Sequence, residues 1–407
     1  MATVTATRTA GSGLVFLLGA AVFLNYVDRG AIGIAAPVMK GDLGLSDEAY
    51  GVVFSAFFWI YAPVQLFAGW LCDRFSVYKL MAAGIILWAG STILMGFAGG
   101  FASLLVLRIM LGIGESISFP GSSKIIARHV PAERRGVANA AVATGIALGP
   151  AVGTLAGGLV LGTWGWQAIF IIFGIVTLVW LLPWQQVIKD LPRTGFHDEG
   201  PKVPVASLLK KWPLWSMSIV HALGNYCFYF LLAWLPLFLT KSRGFTIGEM
   251  TMLATLGYAV QGACAMGFGH FSDWWTRSGR SEAACRRWMM VASQLLAAAA
   301  ILGLAFAHSA LAIGFLLCLA GAASAALSLN LYAVAQMFAG PRASGTWVGV
   351  QNAIGNLSGI IGPIVTGIVV QRAGYNSAFV LTAAVAAIGA IWWAIGVPRI
   401  EQVNLKD

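Results

Sequence analysis

The sequence predicts an all-α integral membrane protein, with twelve transmembrane helices arranged as two six-helix bundles. Three observations carry that prediction. Of 407 residues, 59% are hydrophobic and only 10% are charged, whereas a soluble domain carries roughly 25% charged residues. So few charges could not cover a water-facing surface. Apolar runs of about twenty residues recur from Gly13 almost to the C-terminus, each long enough to cross ~30 Å of hydrocarbon as a helix. The runs are continuous rather than alternating with period two, which selects helices over a transmembrane barrel and keeps every backbone hydrogen bond inside its own segment. The third observation is the placement of the basic residues. With the N-terminus taken as cytoplasmic, 19 of the 25 lysines and arginines fall on the inside and only Lys40, Lys241, Arg243 and Arg372 fall outside. This asymmetry is the positive-inside rule, and it puts both termini in the cytoplasm. The net charge of +10 therefore reflects topology, not nucleic-acid binding.

The spans are expected at 14–38, 48–70, 78–97, 101–127, 135–159 and 165–186 in the first half. In the second half they are expected at 214–240, 246–270, 287–307, 310–337, 343–371 and 376–397. The first run follows Arg8 as a secretory signal would, but it is too long, is interrupted by Asp28-Arg29 and is followed at once by further spans. It is expected to be retained. The hydrophilic stretch 187–213 divides the chain into an N-terminal bundle, 1–186, and a C-terminal bundle, 214–407. An internal echo supports the division. Gly69-Trp70-Leu71-Cys72-Asp73-Arg74 ends the second span of one half, and Gly269-His270-Phe271-Ser272-Asp273 ends the second span of the other. Duplicated six-helix halves are the architecture of alternating-access carriers, with substrate bound between the halves near the bilayer midplane.

Gly69-x-Leu71-x-Asp73-Arg74 with Lys79 resembles the loop signature of the major facilitator superfamily, although Cys72 stands where that family usually has Ala or Ser. The resemblance covers the whole chain and implies two bundles related by pseudo-two-fold symmetry. Physically, Gly69 permits close helix approach. Asp73, Arg74 and Asp273 are expected to latch a cytoplasmic gate through helix-terminal contacts.

Four ionisable side chains lie clearly inside the expected spans: Asp28, Arg29, Arg108 and Glu115. Each costs roughly 2.5–3.5 kcal/mol at mid-membrane, so each is a functional candidate. The plainer alternative is a set of structural ion pairs, a role that suits Arg108 best. Arg108 and Glu115 are two turns apart and share a helix face; Asp28 and Arg29 are adjacent, about 100° apart, and point different ways. Asn25, Tyr26 and Arg29 form one polar stripe, and Tyr61 and Gln65 form another. A guanidinium donates two parallel hydrogen bonds to a carboxylate, so Arg29 is expected to receive an organic anion. Burial and a nearby arginine pull a carboxyl's protonation in opposite directions. Asp28 and Glu115 are therefore expected to carry the coupled proton, with Arg108 holding Glu115 ionised in the empty carrier.

Tyr26-x-Asp28-Arg29, Tyr61-x-x-x-Gln65, Arg108-x-x-x-Gly112-x-Gly114-Glu115 and Asn352-x-x-Gly355-Asn356 followed by Gly362-Pro363 resemble the anion:cation symporter family. That family includes bacterial importers of aldonates, hexuronates and aldarates and the animal organic-anion carriers. The resemblance implies that Arg29 binds a carboxylate, that Asp28 and Glu115 handle protons, and that Tyr26, Tyr61 and Asn352 contact substrate. Trp347 and the scarcity of hydroxyls in the fourth and fifth spans depart from what a sugar acid would want. Short external loops favour the bacterial branch and hence an inner-membrane location. In the second half Asn225, Tyr229, Asn330, Tyr332 and Asn356 are further polar candidates, although isolated amides in membrane helices are commonly interhelical glue.

The expectation is proton-coupled symport of a small organic anion by a carrier that works as a monomer, needing no cofactor beyond the proton. The alternative is an exporter or anion exchanger. Gly145-x-x-x-Gly149-Pro150-x-x-Gly153 resembles an exporter signature, but it reads more simply as a small-residue interface with a proline bend. An enzyme is not expected, because the five histidines are dispersed and no phosphate-cradling glycine loop occurs. The five cysteines have neither metal-ligand nor disulfide spacing, and no metal is expected.

Overall fold

A computed structural model describes residues 7–129, 135–189 and 205–404, and among them there is no β-strand. The helices are α1 (Thr7–Asp42), α2 (Asp47–Arg74), α3 (Val77–Met95), α4 (Phe101–Glu115), α5 (Ser118–His129), α6 (Arg135–Trp164), α7 (Trp166–Val179), α8 (Leu181–Lys189) and the short α9 (Val205–Leu209). They continue as α10 (Trp212–Leu237), α11 (Ile247–Arg277), α12 (Glu282–Phe306), α13 (Ala310–Gly355) and α14 (Ser358–Ile391). Single π-helical turns extend α10 through Phe238–Ser242 and α14 through Trp392–Gly396.

The last two helices are too long to be single spans, and glycine explains how they fold. Gly340 takes φ 65° and ψ 176° inside α13, and Gly374 takes φ 80° and ψ 172° inside α14. A side chain is strained at such angles, so each glycine marks a kink that divides an otherwise continuous helix into two. The two helices therefore supply three spans, as the sequence predicts. A break that the sequence does not signal separates α4 from α5 at Ser116–Ile117, immediately after Glu115.

Two compact units emerge. The first comprises Met1–Leu45 and Trp59–Glu199; the second comprises Ser46–Phe58 and Gly200–Asp407. In the first unit α1 lies along α6, and α3 packs on both α4 and α7. In the second, α13 packs against α10, α11 and α12, and α14 against α10 and α12. A core including Met217, Phe338, Trp347 and Trp393 fills one end of the second unit. The first half of α2 also belongs to this unit. Its Tyr50 hydroxyl donates to the Ala233 carbonyl at 2.9 Å, and the Asp47 amide donates to Gln371 Oε1 at 3.1 Å.

Candidate functional site

In the first unit, small residues seat α1 where its polar stripe must sit. A Cβ at Gly149 would lie 2.6 Å from Tyr26 Cβ, and one at Gly153 would lie 3.0 Å from Val27 Cα. The glycine series of α6 is thus the bed on which α1 lies at the level of Asp28 and Arg29. Between α3 and α4, a Cβ at Gly114 would meet Trp88 N at 2.6 Å. This close approach brings the two helices together and places the Trp88 indole beside the charged residues.

Arg29 and Glu115 meet there, 86 positions apart in sequence, with Arg29 Nε donating to Glu115 Oε2 at 2.8 Å. Their side chains are 4% and 0% exposed, so this pair has left water entirely. The Arg29 guanidinium also lies 5.0 Å from the Tyr26 ring centre and 4.5 Å from that of Tyr61. Aromatic faces attract a desolvated cation, and these two leave its planar fork held among rings. Asn25, one turn before Arg29, is buried beside the pair. Gln65 is buried one turn beyond Tyr61. Arg108 is also buried, and its charge acts on Glu115. The glutamate therefore lies in the field of two arginines, and its direct hydrogen-bonded ion pair is with Arg29.

Asp28 points elsewhere, as its 100° offset from Arg29 requires. Its Oδ2 accepts from Trp88 Nε1 at 2.6 Å and from Thr177 Oγ1 at 3.1 Å. Its Oδ1 is buried and has no hydrogen-bond partner among the described residues. Trp88 and Thr177 carry no sequence signal as site residues, because each sits in a strongly apolar span where tryptophan and threonine read as packing. With both carboxyls ionised, the two arginines and two acids balance to zero charge.

The second unit builds a neutral cluster at the junction of α13 and α14. The Tyr332 hydroxyl donates to Asn352 Oδ1 at 3.2 Å, and that of Tyr229 donates to Asn356 Oδ1 at 2.6 Å. Asn356 Nδ2 donates to the Asn352 carbonyl at 2.8 Å, and Asn225 Nδ2 reaches the Gly355 carbonyl at 3.4 Å. The structure adds His221, which the sequence does not single out. It is buried, edge-on to Tyr332 with ring centres 5.9 Å apart, and packed so closely on Gly355 that a Cβ there would lie 2.5 Å from its ring. Asn330 is apart from this cluster, accepting from Arg286 Nη1 at 3.0 Å. Trp347 donates to Gln351 at 3.2 Å within its own helix, so it fills the core rather than presenting a polar face. Gly69, Asp73 and Arg74 lie near the end of α2 and Asp273 near the end of α11; their side chains are outside the described ones. No group of three or more potential metal-ligating side chains occurs among the described residues.

Comparison with known proteins extends the picture. The family model described as Major Facilitator Superfamily matches residues 18–284 and 278–407. The Bacillus subtilis protein named "Probable galactarate/D-glucarate transporter" is 29% identical, over 97% of this chain and 93% of that protein. The "Hexuronate transporter" of the same organism is 27% identical, over 93% and 92%. A "Probable sulfoacetate transporter" of Cupriavidus necator is 28% identical, over 91% and 90%. Among solved structures, a bacterial homologue of the human lysosomal transporter Spinster, in an inward-facing and unoccupied conformation, superposes with a TM-score of 0.81. That likeness covers 97% of this chain and 98% of that one at 20% identity, and it speaks to the fold alone.

Proposed function

The chain belongs to the Major Facilitator Superfamily, and we propose that this multi-pass membrane transporter carries a small organic anion together with protons. The substrate class best supported is the sugar acids, aldarates and hexuronates, because relatives named for galactarate, D-glucarate and hexuronate align along nearly the whole chain. The observation that carries the reading is the buried Arg29–Glu115 pair. A substrate carboxylate offers Arg29 the same chemistry that Glu115 offers, with two oxygens for a forked donor. When it takes the place of Glu115, the displaced carboxylate is left buried with less compensation, which is costly. Uptake of a proton by Glu115 relieves that cost. On release, the proton leaves and Glu115 returns to Arg29. Bound anion and bound proton thus favour each other by the same factor.

Asp28 is the second proposed proton site, because its one unpartnered oxygen is where a buried carboxyl gains from protonation. Tyr26 and Tyr61 orient the guanidinium; Asn25 and Gln65 serve polar groups of the substrate. In the second unit Tyr332, Asn352 and Asn225 are the proposed partners of substrate hydroxyls, which suit a neutral cluster of phenols and amides. Gly69, Asp73, Arg74 and Asp273 are the proposed cytoplasmic gate. We place the protein in a bacterial inner membrane with both termini in the cytoplasm, working as a monomer without a cofactor. Exporter-type exchange is the weaker reading, since Gly149 and Gly153 are accounted for by their packing on α1.

The test is uptake into proteoliposomes of a panel of aldarates, hexuronates and their uncharged analogues, with an inward proton gradient imposed or collapsed. Gradient-dependent accumulation of a carboxylate that is lost in Arg29→Ala supports the proposal. Transport of the neutral analogues alone, or accumulation indifferent to the gradient, overturns it.

A further inference from the structure

Away from these residues, α11 and α12 part near the turn that joins them and leave an apolar crevice of ≈ 610 Å³. Its walls include Gly267, Phe268, Phe271 and Trp275 of α11 and Trp288 and Met289 of α12. Along α11 the lining runs from Cys264 to Trp275. At 1.5 Å per residue that is about 16 Å, the thickness of one leaflet of hydrocarbon, ~15 Å. Volume and length both suit one extended acyl chain.

The mouth of the crevice is charged. Arg280 lies with its guanidinium 4.7 Å from the centre of the Trp275 ring, so a wall of the crevice also holds the cation at its entrance. Glu282, at the start of α12, is offset by Arg286 at 2.8 Å on the next turn. Arg287 turns away, donating to the carbonyls of Val397 and Pro398. Trp274, 55% exposed, has its ring centre 5.8 Å from the Arg280 guanidinium, and exposed tryptophans mark the headgroup region of a bilayer.

We infer that this crevice is a binding site for an anionic phospholipid, one acyl chain lying between α11 and α12 and the phosphate meeting Arg280. Basic, apolar-walled clefts between membrane helices recognise such headgroups, each nearby Arg or Lys contributing enough to change affinity about fivefold. The site is independent of the substrate reading, because none of its residues belongs to either polar cluster.

Native mass spectrometry of the purified full chain, titrated with phosphatidylglycerol or with phosphatidylcholine of the same chains, tests it. The wild type is expected to retain phosphatidylglycerol preferentially. Arg280→Gln should weaken that retention about fivefold while leaving phosphatidylcholine unchanged. Gly267→Phe should block both lipids by filling the crevice. A Cβ at that position meets nothing within 4 Å, so the fold should tolerate the change, and an unchanged melting temperature checks that it does. Equal retention of the two lipids by the wild type overturns the charge assignment. Undiminished phosphatidylglycerol retention in Gly267→Phe overturns the site itself.

Discussion

In the first unit, four charged side chains, Asp28, Arg29, Arg108 and Glu115, are buried close together, and their signs cancel. In the second, the polar cluster among the described residues is built from the phenols of Tyr229 and Tyr332, the amides of Asn225, Asn352 and Asn356, and the ring of His221. The two clusters pose different physical problems. A buried guanidinium with a buried carboxylate must stay paired, because losing one partner strands the other at a cost of several kcal/mol. An amide bonded to a phenol loses far less when it changes partner; such bonds in membrane helices contribute about 0.6 kcal/mol on average. The first arrangement suits an all-or-none exchange of one anion for another. The second suits adjustable hydrogen bonding to hydroxyls, with little penalty for a poor fit. On the proposed function, anion selection and coupling belong to the first unit, and discrimination among sugar acids belongs to the second.

The contrast is tested most severely at the centre of the charged cluster. Arg29→Ala leaves Glu115 buried without its direct partner, a loss of about 3–5 kcal/mol; carboxylate uptake in proteoliposomes should fall at least about a hundredfold. Arg29→Lys should recover little of it, since an ammonium lacks the planar fork. Glu115→Gln separates binding from coupling. The neutral amide should permit counterflow exchange of the anion while abolishing accumulation driven by a pH gradient. Accumulation equal to wild type in that variant would remove Glu115 from the coupling scheme.

A smaller change is expected at Asp28. Trp88→Phe deletes the donor 2.6 Å from Oδ2, a hydrogen bond to a charged group contributing about 1.5–3 kcal/mol. The pH dependence of uptake should shift while the KM at saturating proton concentration changes little; a KM change with an unmoved pH profile would assign Trp88 to substrate binding. The neutral cluster should respond least. Tyr229→Phe removes the bond to Asn356, and KM should rise about two- to threefold with coupling intact. A loss comparable to that of Arg29→Ala would erase the distinction between the clusters.

Much of the charged cluster is legible in the chain alone. A polar residue in an apolar run is conspicuous because it is expensive, so Asp28, Arg29, Arg108 and Glu115 stand out from the sequence by themselves. Helical period separates Asp28 from Arg29, and the two do take different partners. Partner choice is where the sequence falls silent. Arg108 shares a face with Glu115 and is the expected holder of its charge, yet Arg29, on another helix, makes the direct bond. Trp88 and Thr177 offer no signal, because a donor that serves a buried carboxylate looks like any other residue packed in hydrocarbon. His221 is inconspicuous for the same reason.

Membrane class, spans and the inventory of buried charge all reside in the sequence. They follow from local composition and period, which the lipid solvent reads one segment at a time. Four outcomes arise from packing instead: the choice of Arg29 as the direct partner of Glu115, the donors that receive the carboxylate of Asp28, the docking of the first half of α2 on α10 through Tyr50 and Ala233, and the parting of α11 from α12. Those outcomes depend on how closely backbones approach, as at Gly114 beside Trp88 and Gly149 beside Tyr26. An approach of that kind is a property of two surfaces, and neither segment encodes it alone.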